Sequence, residues 1–417
     1  MEQILDFHIH SRYSRACSPR LTLKNIDATG QTKGVDIVAT GDFTFPDWFL
    51  SIKNELEEID NSGLYKLKIA KDKKIRFILS TELALIYKDA DKVRRIHIMV
   101  QAPNLEAVSE LNKYLDKKYN IRSDGRPILG MSAPELVKLC LSINPKFLIY
   151  PAHIWTPWFA VFGSKSGFDS MEECFHEQTE HIYAFETGLS SDPEMNWRLS
   201  KLDKLTILSN SDAHSLANIG REANIMDLSE FTYDEIYQAI RKKDRQKIKG
   251  TIEFYPEEGM YHLDGHRDCG IRFTPSETKK NKGLCPKCKK PLVVGVLYRV
   301  DELADRPEGF KPLGAAPYEK LVGLDKIIAE ALDIKTRASK KVQAEYDNLI
   351  KNIGSELYIL RQAKLDKISQ IASPKIAEAI GRVRQGDLII EPGFDGQYGE
   401  VKIFKPKEKK DNQLKLF

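Results

Sequence analysis

Short apolar runs alternate with helical patterns through the first 250 residues. Strand-like runs fall at Ile4–Phe7, Asp36–Ala39, Arg76–Leu79, Ile96–Val100, Phe147–Tyr150, Tyr183–Phe185 and Leu205–Leu208. Between them, apolar residues recur at helical spacing. In Ser132–Ile143, Leu136, Val137, Cys140 and Ile143 share one face, Pro134 stands early and Ser132 offers an N-cap. This alternation predicts an α/β domain over residues 1–250, with a parallel sheet or barrel. About seven such units fit the length. A distorted barrel is the first expectation and an open sheet the second.

The pattern changes further along. Residues 251–310 are rich in Gly and Pro and carry a Cys/His cluster, which predicts a small metal-binding domain. Residues 311–404 are mainly helical in pattern, ending in a Gly-rich, hairpin-like stretch over Glu391–Phe404. Residues 405–417 read as a polar, flexible tail. A chain of 417 residues exceeds one domain of roughly 100–200 residues, in keeping with this division.

Charge decides little. The formal net charge is +4, so global charge neither requires nor excludes nucleic acid. No apolar run approaches the roughly 18–20 residues of a membrane span. The N-terminus passes straight into a strand-like run, so no signal peptide and a cytoplasmic protein are expected; the expected state is a monomer. In that setting Cys285-Pro-Lys-Cys288 favours metal over a disulfide.

The histidines are placed unevenly. In Asp6-Phe7-His8-Ile9-His10, two imidazoles two residues apart share one face of a strand and can reach one ion. Later strands end on, or carry, Asp42, Glu82, His97, His153, Glu186, Asp212 and His214. In parallel α/β folds the site forms at the C-terminal ends of strands. One such histidine would be an ordinary core residue. Several converging polar groups would be costly to bury without metal or each other. Mixed nitrogen and oxygen ligands suit Zn, Mn or Fe.

His8-Ile9-His10, Glu82, His97, Pro151-Ala152-His153 and Ser211-Asp212-Ala213-His214 resemble the motifs of the polymerase-and-histidinol-phosphatase (PHP) superfamily. The resemblance spans about residues 1–250. It implies a distorted (β/α)7 barrel with two or three divalent ions (Zn, Mn, Mg or Fe) and phosphoester hydrolysis. Carried across, His8, His10, Glu82 and Asp212 hold one ion. Glu82, His97 and His153 hold another, and His214 belongs to a third. Asp212, Glu82 and His214 would be the catalytic residues. Phe45 stands where relatives place a histidine, so the third ion needs Asp42 as a substitute; the plain alternative for Asp42 is a turn residue.

His266-Arg-Asp-Cys269 precedes Cys285-Pro-Lys-Cys288. Two such pairs build a tetrahedral structural zinc site of zinc-ribbon type. His262 competes with His266, which pairs better with Cys269 by spacing. The loop after His153 carries Trp155, Trp158, Phe159 and Lys165, fit to stack bases and hold phosphate, or else to form a packed lid. Arg12, Arg15 and Arg221 flank the motifs and suit phosphate. Ser373–Gly386 offers a helix–hairpin–helix-like phosphate grip or, more simply, a packed helix.

Four further stretches resemble the endonuclease Q family: Thr40–Asp42, Trp155–Asp169, Tyr261–Cys269 and Gly295–Pro307. The resemblance runs to about residue 404. It implies a DNA repair endonuclease nicking 5′ of deaminated bases (uracil, hypoxanthine, xanthine) and abasic sites, acting on damaged double- or single-stranded DNA. It also makes residues 311–404 a DNA-binding domain. The ending Gln413-Leu414-Lys415-Leu416-Phe417 resembles the peptide by which bacterial proteins bind the replication sliding clamp. The alternative function is a small-molecule phosphoesterase such as a histidinol-phosphate phosphatase, for which the cysteine cluster and helical region are unneeded.

Overall fold

The computed structural model describes residues 2–69 and 75–405. The chain is mixed α/β, with a small cysteine-bearing unit and a helical C-terminal unit.

The first strand, Gln3–Asp6, is buried along its length and pairs in parallel with Ile37–Ala39. That strand pairs in parallel with Arg76–Ile78. On its other edge the first strand meets Ala223–Met226, which pairs with Ile248–Glu253, both antiparallel. These strands belong to an eight-stranded sheet. A four-stranded sheet follows, ordered Ile128–Leu129, Ser80–Asp89, Lys92–Gln101 and Leu148–Pro151. Ala184–Glu186 and Thr206–Leu208 form a parallel pair. A single bridge, Ile9 to Ala213, connects the chain after the first strand to the chain after Thr206–Leu208. Among the described residues the ladders stay separate, so no continuous ring of hydrogen-bonded strands is formed.

The predicted helix over Ser132–Ile143 forms as Ala133–Ile143. Ser132 and Glu135 make a reciprocal capping box, which satisfies two orphan donors. One departure from the repeating unit matters for the site. Ser80–Asp89 and Lys92–Gln101 form a ten-residue antiparallel hairpin instead of a strand and a helix. Ala90 and Asp91 turn it with φ of 45° and 64°, the left-handed pair a tight hairpin demands.

Beyond residue 250 the units are interlocked. Tyr318–Lys320 adds to the main sheet beside Ile248–Glu253, across the expected boundary at 311. Helices at Leu324–Ala331, Lys340–Asn352, Glu356–Arg361, Leu365–Ile371 and Pro374–Gln385 build the helical unit. Pro374–Gln385 is a packed helix with Ile376, Ile380 and Val383 buried. The final hairpin pairs Ile389–Glu391 with Glu400–Lys402. Its tip returns to the cysteine unit, where Leu263 bridges Phe394.

Candidate active site

His8 and His10 follow the first strand and are fully buried. Each ring is fixed from behind. His8 Nδ1 lies 3.0 Å from Glu186 Oε2, and His10 Nδ1 lies 2.9 Å from Asp42 Oδ1. Both Nε2 atoms therefore point inward. His8 Nε2 is 3.6 Å from Glu82 Oε2 and 3.5 Å from Asp212 Oδ1. His10 Nε2 is 3.2 and 3.1 Å from the same two atoms.

None of these contacts has hydrogen-bond geometry. His8 Nε2, His10 Nε2 and Asp212 Oδ1 are thus buried polar atoms without a hydrogen-bond partner. Such atoms are costly unless something completes them. A cation at their centre would complete all three.

Glu82 is the hinge of the cluster. The hairpin register pairs Glu82 with Met99 and Ala84 with His97, so Glu82 and His97 are diagonal neighbours on one face. His97 Nδ1 reaches Glu82 Oε1 at 2.7 Å, and His153 Nε2 reaches the same oxygen at 3.0 Å. The other oxygen receives Arg126 Nη1 at 2.9 Å. Two ligand groups result: His8, His10, Glu82 and Asp212, and Glu82, His97 and His153, with the ligand atoms of each inside 4.8 Å.

The electrostatics follow from burial and proximity. Burial opposes charge on Glu82, but His97, Arg126 and His8 overcome it and hold the carboxyl well below its usual range. Burial alone would discharge His8 and His10. Glu186 in the first case and Asp42 in the second reverse this and raise both imidazoles. Burial lowers His97 to about 4, leaving it a neutral ring able to offer a lone pair.

The backbone is held in unusual conformations at the same place. Asp42, His153 and Asp212 have φ of 46°, 28° and 45°. Non-glycine residues there cost about 1–3 kcal/mol each and persist where the surroundings over-determine them. For His153 the cause is visible. Its N–H donates to Glu186 Oε2 at 3.0 Å, and Gly188 backs it so closely that a Cβ on that glycine would lie 2.3 Å from the histidine's own.

Several sequence-predicted residues stand elsewhere than expected. Asp42 and Glu186 fall outside both ligand groups, because their oxygens are already engaged. Asp42 accepts from His10, Ser11 and Ser14; Glu186 accepts from His8, Asn210 and the His153 backbone. His214 also stands outside. Its Nδ1 turns to the Asp212 carbonyl at 2.9 Å, and its ring lies 4.6 Å from that of His10. Phe45, where a ligand was expected, stacks on Tyr13 at 4.5 Å. Trp155 is a core residue, with its indole N–H donating to Asn196 at 2.7 Å, so it presents no face to a base.

Trp158 is 41% exposed and edges onto Tyr261 of the cysteine unit. Phe159 is half-buried against the His97 ring at 4.7 Å. Arg12, Arg15 and Lys165 are exposed, and Arg221 Nε donates to the Ser211 carbonyl. Arg126 escaped the sequence reading. It sits in an irregular loop with no periodicity or motif to mark it, and only the fold brings it to Glu82.

His266, Cys269, Cys285 and Cys288 converge as expected, with Cys288 Sγ 3.8 Å from His266 Nε2. His262 is buried but stands outside the group. Arg299, from the helix Val296–Leu303 that follows, donates to the carbonyls of Phe162 and Phe168 and so ties this unit to the Trp158 loop.

The comparisons with known proteins bear on this arrangement. The solved structure of a lesion-specific endonuclease from Pyrococcus furiosus, PfuEndoQ, superposes over 100% of both chains, with a TM-score of 0.85 and 31% identity. The chain belongs to the endonuclease Q family. A second endonuclease Q structure, in complex with a 27-mer duplex substrate carrying an abasic lesion at the active site, matches 97% of each chain at a TM-score of 0.84 and 32% identity. Family models match at residues 195–244 (PHP-associated) and 323–387 (MJ0043 C-terminal domain). An uncharacterized Bacillus subtilis protein, YqxK, is 29% identical over 89% of each chain. The uncharacterized Methanocaldococcus jannaschii protein MJ0043 is 36% identical over 61% of this chain, which spans 32% of that protein's length.

Proposed function

We propose that this chain is a metal-dependent DNA repair endonuclease. It cuts the phosphodiester 5′ of abasic sites and of deaminated bases: uracil, hypoxanthine and xanthine. The observation that carries the reading is the carboxylate of Glu82 shared by two ligand groups, in a chain that aligns end to end with a lesion-specific endonuclease.

Paired divalent ions at such a site supply hydroxide near neutral pH and neutralise phosphate oxygens. The chain's own residues do the rest. Glu186 and Asp42 lock the His8 and His10 tautomers so that Nε2 faces the substrate side. Asp212 and Glu82 supply oxygens, and the donor set suits Zn, Mn or Fe and admits Mg. The reading takes two ions, since for a third Asp42 would have to release His10 and Ser11. Arg126, Arg12, Arg15 and Lys165 receive phosphate, while Trp158 and Phe159 offer ring faces to an extruded base. His266, Cys269, Cys285 and Cys288 hold one structural zinc.

Gln413, Leu414, Leu416 and Phe417 lie outside the described residues. Their clamp-binding reading rests on sequence, and a pull-down with a bacterial sliding clamp, with and without residues 413–417, tests it. Among the described residues no helix is long and apolar enough to cross a membrane.

The function is tested on labelled duplexes carrying an abasic site, uracil, hypoxanthine or xanthine, beside an undamaged control, with Mg, Mn or Zn. A nick 5′ of each lesion and none in the control is expected. Hydrolysis of histidinol phosphate with every duplex left intact would overturn the reading.

A further inference from the structure

A cavity of about 130 Å³ opens between the loop 217–221, beside Asp212, and the start of the helical unit. Arg221 forms its wall toward the active site. Its Nε donates to the Ser211 carbonyl at 2.9 Å, and Nη2 points to the Asp212 carbonyl at 3.5 Å. Among the described residues no carboxylate forms an ion pair with it. The adjacent Glu222 turns away from it, one oxygen accepting from the Phe254 backbone N–H at 3.2 Å.

Arg337 lines the same cavity from the helical unit. It is more than half exposed, and its nearest carboxylate, Asp325, is 4.0 Å away. The third cation, Lys33, is neutralised by Glu356 at 2.6 Å. Three cations against two carboxylates leave the cavity one positive charge in excess. Guanidinium forks from two sides match the oxygens of a phosphodiester, which carries one negative charge.

We infer that this cavity is a second phosphate site, in which Arg221 of the N-terminal α/β unit and Arg337 of the helical unit grip the backbone phosphate next to the one that is cut. The inference rests on the nuclease reading for its ligand. It gives the helical unit a defined task, which is to set the register of the strand against Asp212.

The test uses Arg337→Ala and Arg337→Lys in the full chain. Arg337 is exposed and outside both ligand groups, so neither change should alter thermal unfolding. Binding of the nicked duplex, which cannot be cut again, is measured against salt. Arg337→Ala should weaken it about tenfold and reduce the slope of log affinity on log salt by about one, with Arg337→Lys intermediate. Replacing the phosphates flanking the nick one at a time by neutral methylphosphonates should weaken wild type at one position, and that loss should vanish in Arg337→Ala. Unchanged affinity and slope in Arg337→Ala, a methylphosphonate loss that persists in it, or no DNA binding by wild type overturns the inference. If wild type nicks no lesion but the Arg337 effects appear, the nuclease reading fails and the phosphate site stands.

Discussion

Glu186 Oε2 lies 3.0 Å from His8 Nδ1 and 3.0 Å from the backbone nitrogen of His153. One carboxylate, from the strand Ala184–Glu186, therefore aims a ring of the first ligand group and braces the backbone of the second. Glu186→Gln keeps an acceptor but removes the charge. Orienting partners of this kind are worth roughly 10–100-fold in metal affinity or activity. A loss of that size in a metal titration and in the nicking rate is expected, whereas an unchanged titration would mean His8 is held by its packing alone.

Glu82 serves both ligand groups and Asp212 only one. Glu82→Gln should therefore remove more bound metal per chain than Asp212→Asn. Asp212→Asn should abolish cleavage and leave DNA binding largely intact. Elemental analysis of dialysed protein reads the first comparison, and a gel-shift assay beside a nicking assay reads the second. Equal loss of binding and cleavage in Asp212→Asn would argue against a ligand role.

The two tryptophans of one loop should behave oppositely. Trp155→Ala empties a buried site and should cost about 3–5 kcal/mol of stability. Trp158→Ala should leave the urea midpoint nearly unchanged and weaken lesion binding by about 1–3 kcal/mol, the range for one stacked base. Denaturation and binding curves for both variants decide the matter. A Trp158 variant that binds normally would remove that ring from the interface.

Glu253 is fully buried, and burial, followed by the charge of Asp192, pushes its carboxyl up to about 8. The folded chain thus keeps a proton that the unfolded chain gives up above about 4.5. Stability should fall as pH rises between these values, by at most about 1.4 kcal/mol per pH unit, and level off above pH 8. Glu253→Gln cannot ionise, so its urea midpoint should gain on wild type from pH 5 to pH 7.5. Parallel midpoints across that window would show that the carboxyl is already ionised when folded.

Removing the structural metal should act at a distance. Cys285 is buried within the Cys/His group, and Tyr261 and Arg299 connect that unit to the Trp158 loop. Cys285→Ser should release one zinc per chain, lower the unfolding temperature and raise KM for lesion duplexes more than it lowers kcat. A matching fall in kcat alone would place the effect at the catalytic ions instead.

The His8/His10 pair and the cysteine site were legible because each is written locally, whereas the grouping of ligands came from the family resemblance. His8 and His10 share a strand face at spacing two, and Cys285 and Cys288 share a knuckle at spacing three. The hairpin carrying Glu82 and His97 was not, since Ala90-Asp91 is a weak turn signal and positive φ at those residues is visible only in the backbone. The places of Asp42 and Glu186, outside both ligand groups and against histidine rings, were not legible for a related reason: a carboxylate at a strand end carries the same sequence signature whether it binds a metal or orients a histidine.

The sequence by itself determined which side chains could bind metal, that they recur at strand ends, and which helix begins at Ser132. Those properties depend on spacings of a few residues, which backbone geometry converts directly into shared faces and caps. Only the tertiary structure decided which nitrogen of each histidine faces the cluster, that Arg126 meets Glu82, that Trp155 is core while Trp158 is surface, and that Arg221 and Arg337 share a cavity. Each of these depends on side chains meeting across tens to hundreds of residues, where the pairing is set by packing and register that no local pattern encodes.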